Sequence, residues 1–178
     1  FAADGLLCPG HVAAILGAEG FAFLPRDCGL PAVVAGFEAA DILYAVYRLV
    51  CQLAAGEPAL ENEYTRVVPA QGNAAALAAV GAVFARADSV WRGLGAIPQS
   101  GYALRPEYAA FDAAARFGLA PAPGAEPPGC RCGQVLRGVC RPAACPLFGK
   151  ACTPADPVGP CMVSGEGACA AAYRYGEL

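Results

Sequence analysis

Two regimes along one chain predict an α/β domain built on a parallel, Rossmann-like sheet, followed by a small, loop-rich, cysteine-rich domain. In the first half, short apolar runs alternate with helix-like segments, the pattern of strand and crossover helix in a parallel sheet. Prolines then crowd residues 121–128 and mark a linker. Beyond it, seven of the ten cysteines (Cys130, Cys132, Cys140, Cys145, Cys152, Cys161 and Cys169) fall within 40 residues otherwise made of Pro- and Gly-rich turns. Such a segment buries too little apolar surface to hold itself together, so something bonded to sulfur must hold it. The expected division is a partial α/β domain over residues 1–97, a helix and Pro-rich linker over 98–128, and the cysteine domain over 129–178.

Taken in order, residues 5–8 read as a short strand ending in Cys8-Pro9-Gly10-His11, and residues 12–17 as the helix after that turn. A turn after such a strand lies where α/β proteins place their ligands. Residues 20–29 are a short helix and turn, and the valine-rich run 31–36 a second, buried strand. The clearest helix spans 38–55. Ile42, Val46, Leu49 and Leu53, with Leu43 and Val50, form a wide apolar face, acids occupy its first turn, and Gly56 and Pro58 stop it. Residues 61–68 alternate charged and apolar side chains as a half-exposed strand would. Asn73 can cap a helix on which Leu77, Val80 and Phe84 share a face. Residues 89–93 are expected as a fourth strand, 95–101 as a turn and 106–117 as a helix.

Composition excludes several functions. Hydrophobic residues make up 57% and charged ones 15% of the 178, which is the balance of a packed globular protein. The net charge is −3 with basic residues scattered, so neither nucleic acid nor an anionic membrane is the expected partner. The longest uncharged run, 67–85, is broken by Pro69, Gln71, Gly72, Asn73 and Gly81 and is no membrane span. A soluble, cytoplasmic protein is expected. The chain begins at Phe1 and moves within a few residues into a strand, so it reads as part of a longer protein.

A disulfide framework, a zinc site and an iron-sulfur cluster compete to explain the clustered cysteines. Disulfide scaffolds belong to secreted chains. Zinc sites usually present paired Cys-x-x-Cys knuckles, and this sequence has none, with its one histidine far upstream. After Cys130-x-Cys132 the gaps are seven, four, six, eight and seven residues, long and unequal. Such gaps suit a 4Fe-4S cube, approached by loops from several sides, better than zinc. Pro146, Pro154, Pro157 and Pro160 stiffen those loops.

Several words of the sequence together resemble one family. Cys130-Arg131-Cys132-Gly133, Cys145-Pro146-Leu147-Phe148-Gly149, Cys152-Thr153-Pro154, Pro160-Cys161-Met162-Val163-Ser164 and Glu166-Gly167-Ala168-Cys169 resemble the C-terminal segment of the HypD hydrogenase maturation proteins. Upstream, Pro9-Gly10-His11-Val12, Val34-Ala35-Gly36-Phe37-Glu38, Asp41-Ile42-Leu43, Trp91-Arg92-Gly93-Leu94-Gly95 and Phe111-Asp112-Ala113 agree in order. The resemblance implies a factor that helps build the Fe(CN)2CO centre of nickel-iron hydrogenases. It also implies a HypC-type chaperone and a HypE-type cyanide donor as partners, and a 4Fe-4S cluster.

By that resemblance, and by likeness to ferredoxin-thioredoxin reductase, Cys130, Cys145, Cys152 and Cys169 are the implied cluster ligands. Cys132 and Cys161 are the implied thiol-disulfide pair, and Cys140 is incidental. His11 and Glu38 are implied cleft residues, with Cys8 a buried thiol beside them, while Cys28 and Cys51 carry no expected role. The family's Cys-Gly-Thr-His and Gly-Pro-Gly-Cys-Pro-Val-Cys words do not occur in this chain. The Fe(CN)2CO group is therefore expected to bind transiently through an N-terminal half that this chain lacks, and the chain alone is expected to be inactive. A free-standing iron-sulfur oxidoreductase is the alternative, weakened by the lack of a Gly-x-Gly-x-x-Gly fingerprint.

Overall fold

The computed structural model describes residues 3–119 and 127–176. They divide into two compact units, one over residues 3–83 and one beginning at Phe84. Residues 84–97, placed with the α/β domain from sequence, lie with the second unit.

The first unit is α/β. Strands β1 (Leu6–Pro9), β2 (Ala32–Ala35) and β3 (Leu60–Asn62) form a parallel sheet in the order β1-β2-β3, with Pro9 opposite Ala35. Helices α1 (Gly10–Leu16), α2 (Phe23–Cys28), α3 (Ala39–Ala55) and α4 (Ala74–Val83) complete it. The central strand shows why its sequence is apolar throughout. Successive side chains of a strand point to opposite faces. Ala32 and Val34 pack with Cys8, Ala13, Ala18, Leu24 and Val68, whereas Val33 and Ala35 pack with Ala45 and Leu49 of α3. Both faces are covered, so no position of β2 can be polar.

Helix α3 is preceded by Glu38 at its N-cap and closed by Gly56 at its C-cap, whose left-handed conformation favours glycine. It packs through Ala45, Leu49 and Gln52. Of the apolar face expected from sequence, only Leu49 is buried; Ile42, Leu43, Val46, Val50 and Leu53 are exposed. The small Ala45 lets the helix approach β2 closely, and the apolar arc is wider than a three-stranded sheet can cover. Gln52 is buried because its amide is satisfied. Its Nε2 donates to Glu61 Oε1 (2.6 Å), its Oε1 accepts from the Ala59 N–H (2.9 Å), and Arg48 Nε donates to Glu61 Oε2 (2.6 Å). The network ties α3 to β3.

The strand expected over 61–68 stops at Asn62. There the Asn62 side chain accepts from the Tyr64 N–H and donates to the Val68 carbonyl, which folds the chain into a turn. Asn73 caps α4 as expected, accepting from the Ala76 N–H (3.0 Å). Phe84 lies beyond that helix, at the start of a strand.

The second unit opens with an antiparallel hairpin of β4 (Phe84–Trp91) and β5 (Gly95–Leu104). The sequence reading of a strand at 89–93 and a turn at 95–101 is corrected here: the turn lies at Arg92–Leu94 and 95–101 belongs to β5. Gly, Pro and Ser gave residues 95–101 the look of a turn. The ladder tolerates them because it slips between Ala87 and Ser89, where the Asp88 carboxylate accepts the Gln99 N–H (2.8 Å). The helix expected over 106–117 is two pieces. A 3-10 turn over Pro106–Phe111 ends at Asp112, which caps α5 (Ala113–Phe117) by accepting from the Ala114 and Ala115 N–H groups. Most of the expected linker, residues 120–126, lies outside the described residues. The cysteine segment follows, with α6 (Cys132–Leu136), α7 (Pro160–Val163) and α8 (Ala168–Tyr175). No helix among the described residues is long and apolar enough to cross a membrane.

Candidate functional site

Loops and short helices bring the cysteine segment around a common centre. Cys132, Val135, Cys152, Cys161, Met162, Cys169 and Ala170 form one buried core, against which Cys130, Cys140, Leu147, Phe148 and Val158 pack. Cys145 is also buried, and lies near Cys130 and Cys169. All six cysteines implied as ligands or redox pair are thus drawn together. Cys140 lies at the rim, with its thiol donating to the Arg141 carbonyl (3.3 Å).

The local chemistry follows from short elements. Cys132 opens α6, and its neighbour Cys130 sits against Gly159, where an added Cβ would lie 2.7 Å from the Cys130 sulfur. Cys152 Sγ accepts the Val158 N–H (3.3 Å). Cys161 on α7 and Cys169 on α8 meet at 3.0 Å between sulfurs, and Cys161 also faces Cys132. The 3.0 Å contact therefore joins an implied redox thiol to an implied ligand, while Cys161 also meets the other implied redox thiol, Cys132. Burial pushes the Cys161 thiol up to about 11 and raises those of Cys130 and Cys169. All ten cysteines are thiols. Among the described residues, no three His, Cys, Asp or Glu side chains are grouped to hold one metal ion. A cluster makes a different demand, because each of its irons takes its own thiolate. A soft, all-sulfur donor set walled by Met162, Val135 and Phe148 fits that chemistry.

The hairpin reaches this centre. The Gly93 backbone, at φ +85°, touches that of Gly133, and a Cβ on Gly133 would collide with the Gly93 carbonyl oxygen. Arg92 and Gly93 line a small cavity with Pro127, Cys130, Cys132 and Pro160. The Trp91-Arg92-Gly93 word, quoted from sequence with no role, is thus the cover over the Cys130-x-Cys132 turn.

In the first unit, His11 and Glu38 stand at one edge of the sheet, after β1 and β2 respectively. The His11 ring lies 5.2 Å from that of Phe37. Between the turns is a shallow concavity lined by Leu7, Cys8, Pro9, Ala35, Gly36, Phe37 and Ile42. Cys8 is 4% exposed, and burial raises its thiol to about 11, so it is a core thiol rather than a nucleophile. Cys28 is exposed and Cys51 half-buried. Sequence reasoning missed the groups that hold Glu38. Arg66 forks onto Asp41 (2.9 and 2.6 Å) and lies 3.4 Å from Glu38, while Asp41 accepts the Glu38 N–H. Arg66 holds the Asp41 carboxyl below its ordinary value.

Comparison with known proteins agrees with the sequence words. A family model described as "HypD: Hydrogenase formation hypA family" matches residues 1–176. The chain is 47% identical over 175 residues to the "Hydrogenase maturation factor HypD" of Azotobacter vinelandii, covering 98% of this chain and 46% of that protein. It is 49% identical over 173 residues to the protein of the same name from Escherichia coli (strain K12), covering 97% and 46%. The chain thus spans just under half the length of the curated relatives it matches. With the match running nearly end to end, the chain belongs to the HypD family.

Proposed function

We propose that this chain is the cluster-carrying part of a nickel-iron hydrogenase maturation factor, a redox scaffold for assembly of an Fe(CN)2CO centre. The observation that carries the reading is the convergence of Cys132, Cys152, Cys161 and Cys169 in one buried core, with Cys130 packed against it and the buried Cys145 nearby, in a chain of this family. Cys130, Cys145, Cys152 and Cys169 would hold a 4Fe-4S cluster, which supplies single electrons when bound. Cys132 and Cys161 form the redox pair; their oxidation to a disulfide releases two electrons and two protons. The 3.0 Å Cys161–Cys169 contact supports this reading, because it brings a proposed redox thiol beside a proposed ligand.

The protein's own residues supply three things. Met162, Val135, Leu147 and Phe148 keep water from the sulfurs. The Val158 N–H donates to the Cys152 sulfur and fixes where it points. In the other unit, His11 and Glu38 follow β1 and β2 beside an apolar concavity, an imidazole and a carboxylate suited to orienting a small iron-bound group. The Fe(CN)2CO unit is cargo, passed on with a HypC-type chaperone and a HypE-type cyanide donor.

The test is maturation in a strain lacking its own HypD-family protein, complemented by the gene encoding this chain at full length. Cys132→Ser is expected to leave iron content unchanged and stop maturation, whereas Cys145→Ser is expected to lose both. Full maturation in the Cys132→Ser strain would remove the redox-pair assignment. Co-purification of a HypC-type chaperone with the wild-type protein is expected; its failure would remove the scaffold reading.

A further inference from the structure

The turn that follows β3 does more than connect elements. The Tyr64 and Glu63 N–H groups donate to Asn62 Oδ1 (3.1 Å) and the Val34 carbonyl (2.9 Å); Val67 and Val68 donate to the Tyr64 carbonyl (3.0 and 2.9 Å). So tied, the turn presents Tyr64 and Arg66 to the edge of the sheet that carries His11 and Glu38.

Tyr64 lies against both of the turns that bear those residues. A Cβ on Gly10 would sit 2.6 Å from Tyr64 Cδ1, and one on Gly36 would sit 2.9 Å from Tyr64 Cε2. Neither glycine has a positive φ. Space, not backbone conformation, requires glycine at both positions: the Tyr64 ring shares that space with the Ala35 carbonyl oxygen at Gly10 and with Asp41 Oδ2 at Gly36, each nearer still. The Arg66 guanidinium lies 4.5 Å over the same ring, forks onto Asp41 and reaches Glu38 Oε2 at 3.4 Å. Glu38 is therefore held twice, by its N–H through Asp41 and by its carboxylate through Arg66.

We propose that Tyr64 and Arg66 are positioning residues that hold the His11 and Glu38 turns in register at the sheet edge. The inference rests on the reading of that edge as the cleft that orients the iron-bound group. The Arg66–Glu38 pair is exposed and contributes little to stability; Asp41 is only 11% exposed, but Arg66→Gln leaves it an amide donor, so that variant changes where Glu38 points and keeps the fold. A planar fork fixes two carboxylates in a way a single ammonium cannot.

The same complementation assay tests it, with His11→Ala and Glu38→Gln as markers of the cleft. Arg66→Gln is expected to lower hydrogenase maturation about tenfold with its melting temperature and visible absorbance unchanged, and Arg66→Lys, which keeps the charge but not the fork, to recover little of that loss. Tyr64→Ala, if it folds, is expected to match Arg66→Gln. Normal maturation in Arg66→Gln, with His11→Ala or Glu38→Gln defective, would overturn the positioning role alone. Normal maturation in both cleft variants would overturn the cleft reading and the inference together. A loss in Arg66→Gln accompanied by a fallen melting temperature would assign Arg66 to the fold instead.

Discussion

Residues 3–83 bury valine and alanine between helices, whereas residues 127–176 bury thiols. In the first unit the central strand has Ala32, Val33 and Val34 fully buried, and its ladder satisfies the backbone on both sides. In the second, four of the seven residues in the main core are cysteines and the helices are one or two turns long. Helices that short have little stability of their own. The difference teaches what each region depends on. The sheet unit is held by apolar burial and hydrogen bonds, whereas the cysteine unit depends on a core in which thiols take the place of aliphatic side chains.

Removing the proposed metal should give the largest contrast. Chelation of iron under reducing conditions is expected to abolish amide exchange protection across 127–176 and leave β1, β2 and α3 protected, as read by hydrogen exchange mass spectrometry. Equal loss in both units would erase the distinction. Next, Gly133→Ala forces a Cβ into the Gly93 carbonyl and should cost the second unit about 1–3 kcal/mol. It should also speed alkylation of Cys130 and Cys132, because the hairpin tip lifts from their turn. Val33→Ala, in the fully buried strand, should destabilise the first unit by ~2 kcal/mol and leave thiol reactivity in the second unchanged.

The smallest effect concerns pH. The folded Cys8 thiol is raised to about 11 from 9.0, so the folded state holds its proton more tightly than the unfolded chain does. The stability this gives is fully present below about pH 9 and is lost as pH rises through about 11. Urea denaturation of the first unit should therefore show a decline across that window that Cys8→Ala removes. A decline of the same size in Cys8→Ala would assign it to other groups.

How much of this was legible in the sequence varied with the physics. Strands β1 and β2, helix α3 and the Asn73 cap could be read because periodicity and capping are local. The hairpin could not, since Gly95, Pro98 and Gly101 imitate a turn until the partner strand and the Asp88–Gln99 bond are seen. The burial of α3 was misjudged because moment and exposure are different quantities: its apolar arc is real, but Ala45, Leu49 and Gln52 make the contacts. Within the cysteine segment, spacing and family words together picked out the residues that converge. They did not foretell that the Cys161 sulfur would meet that of Cys169 as well as facing Cys132. Tyr64 and Arg66 were hidden in what read as a strand; only the fold brings them under Gly10 and Gly36 and beside Glu38.

The central claim is that residues 127–176 fold around a bound iron-sulfur cluster. Iron and acid-labile sulfide analysis of the anaerobically purified protein tests it most directly. Equimolar iron and sulfide, both lost in Cys169→Ser, is the predicted result; zinc without sulfide, or iron unchanged in that variant, would contradict it.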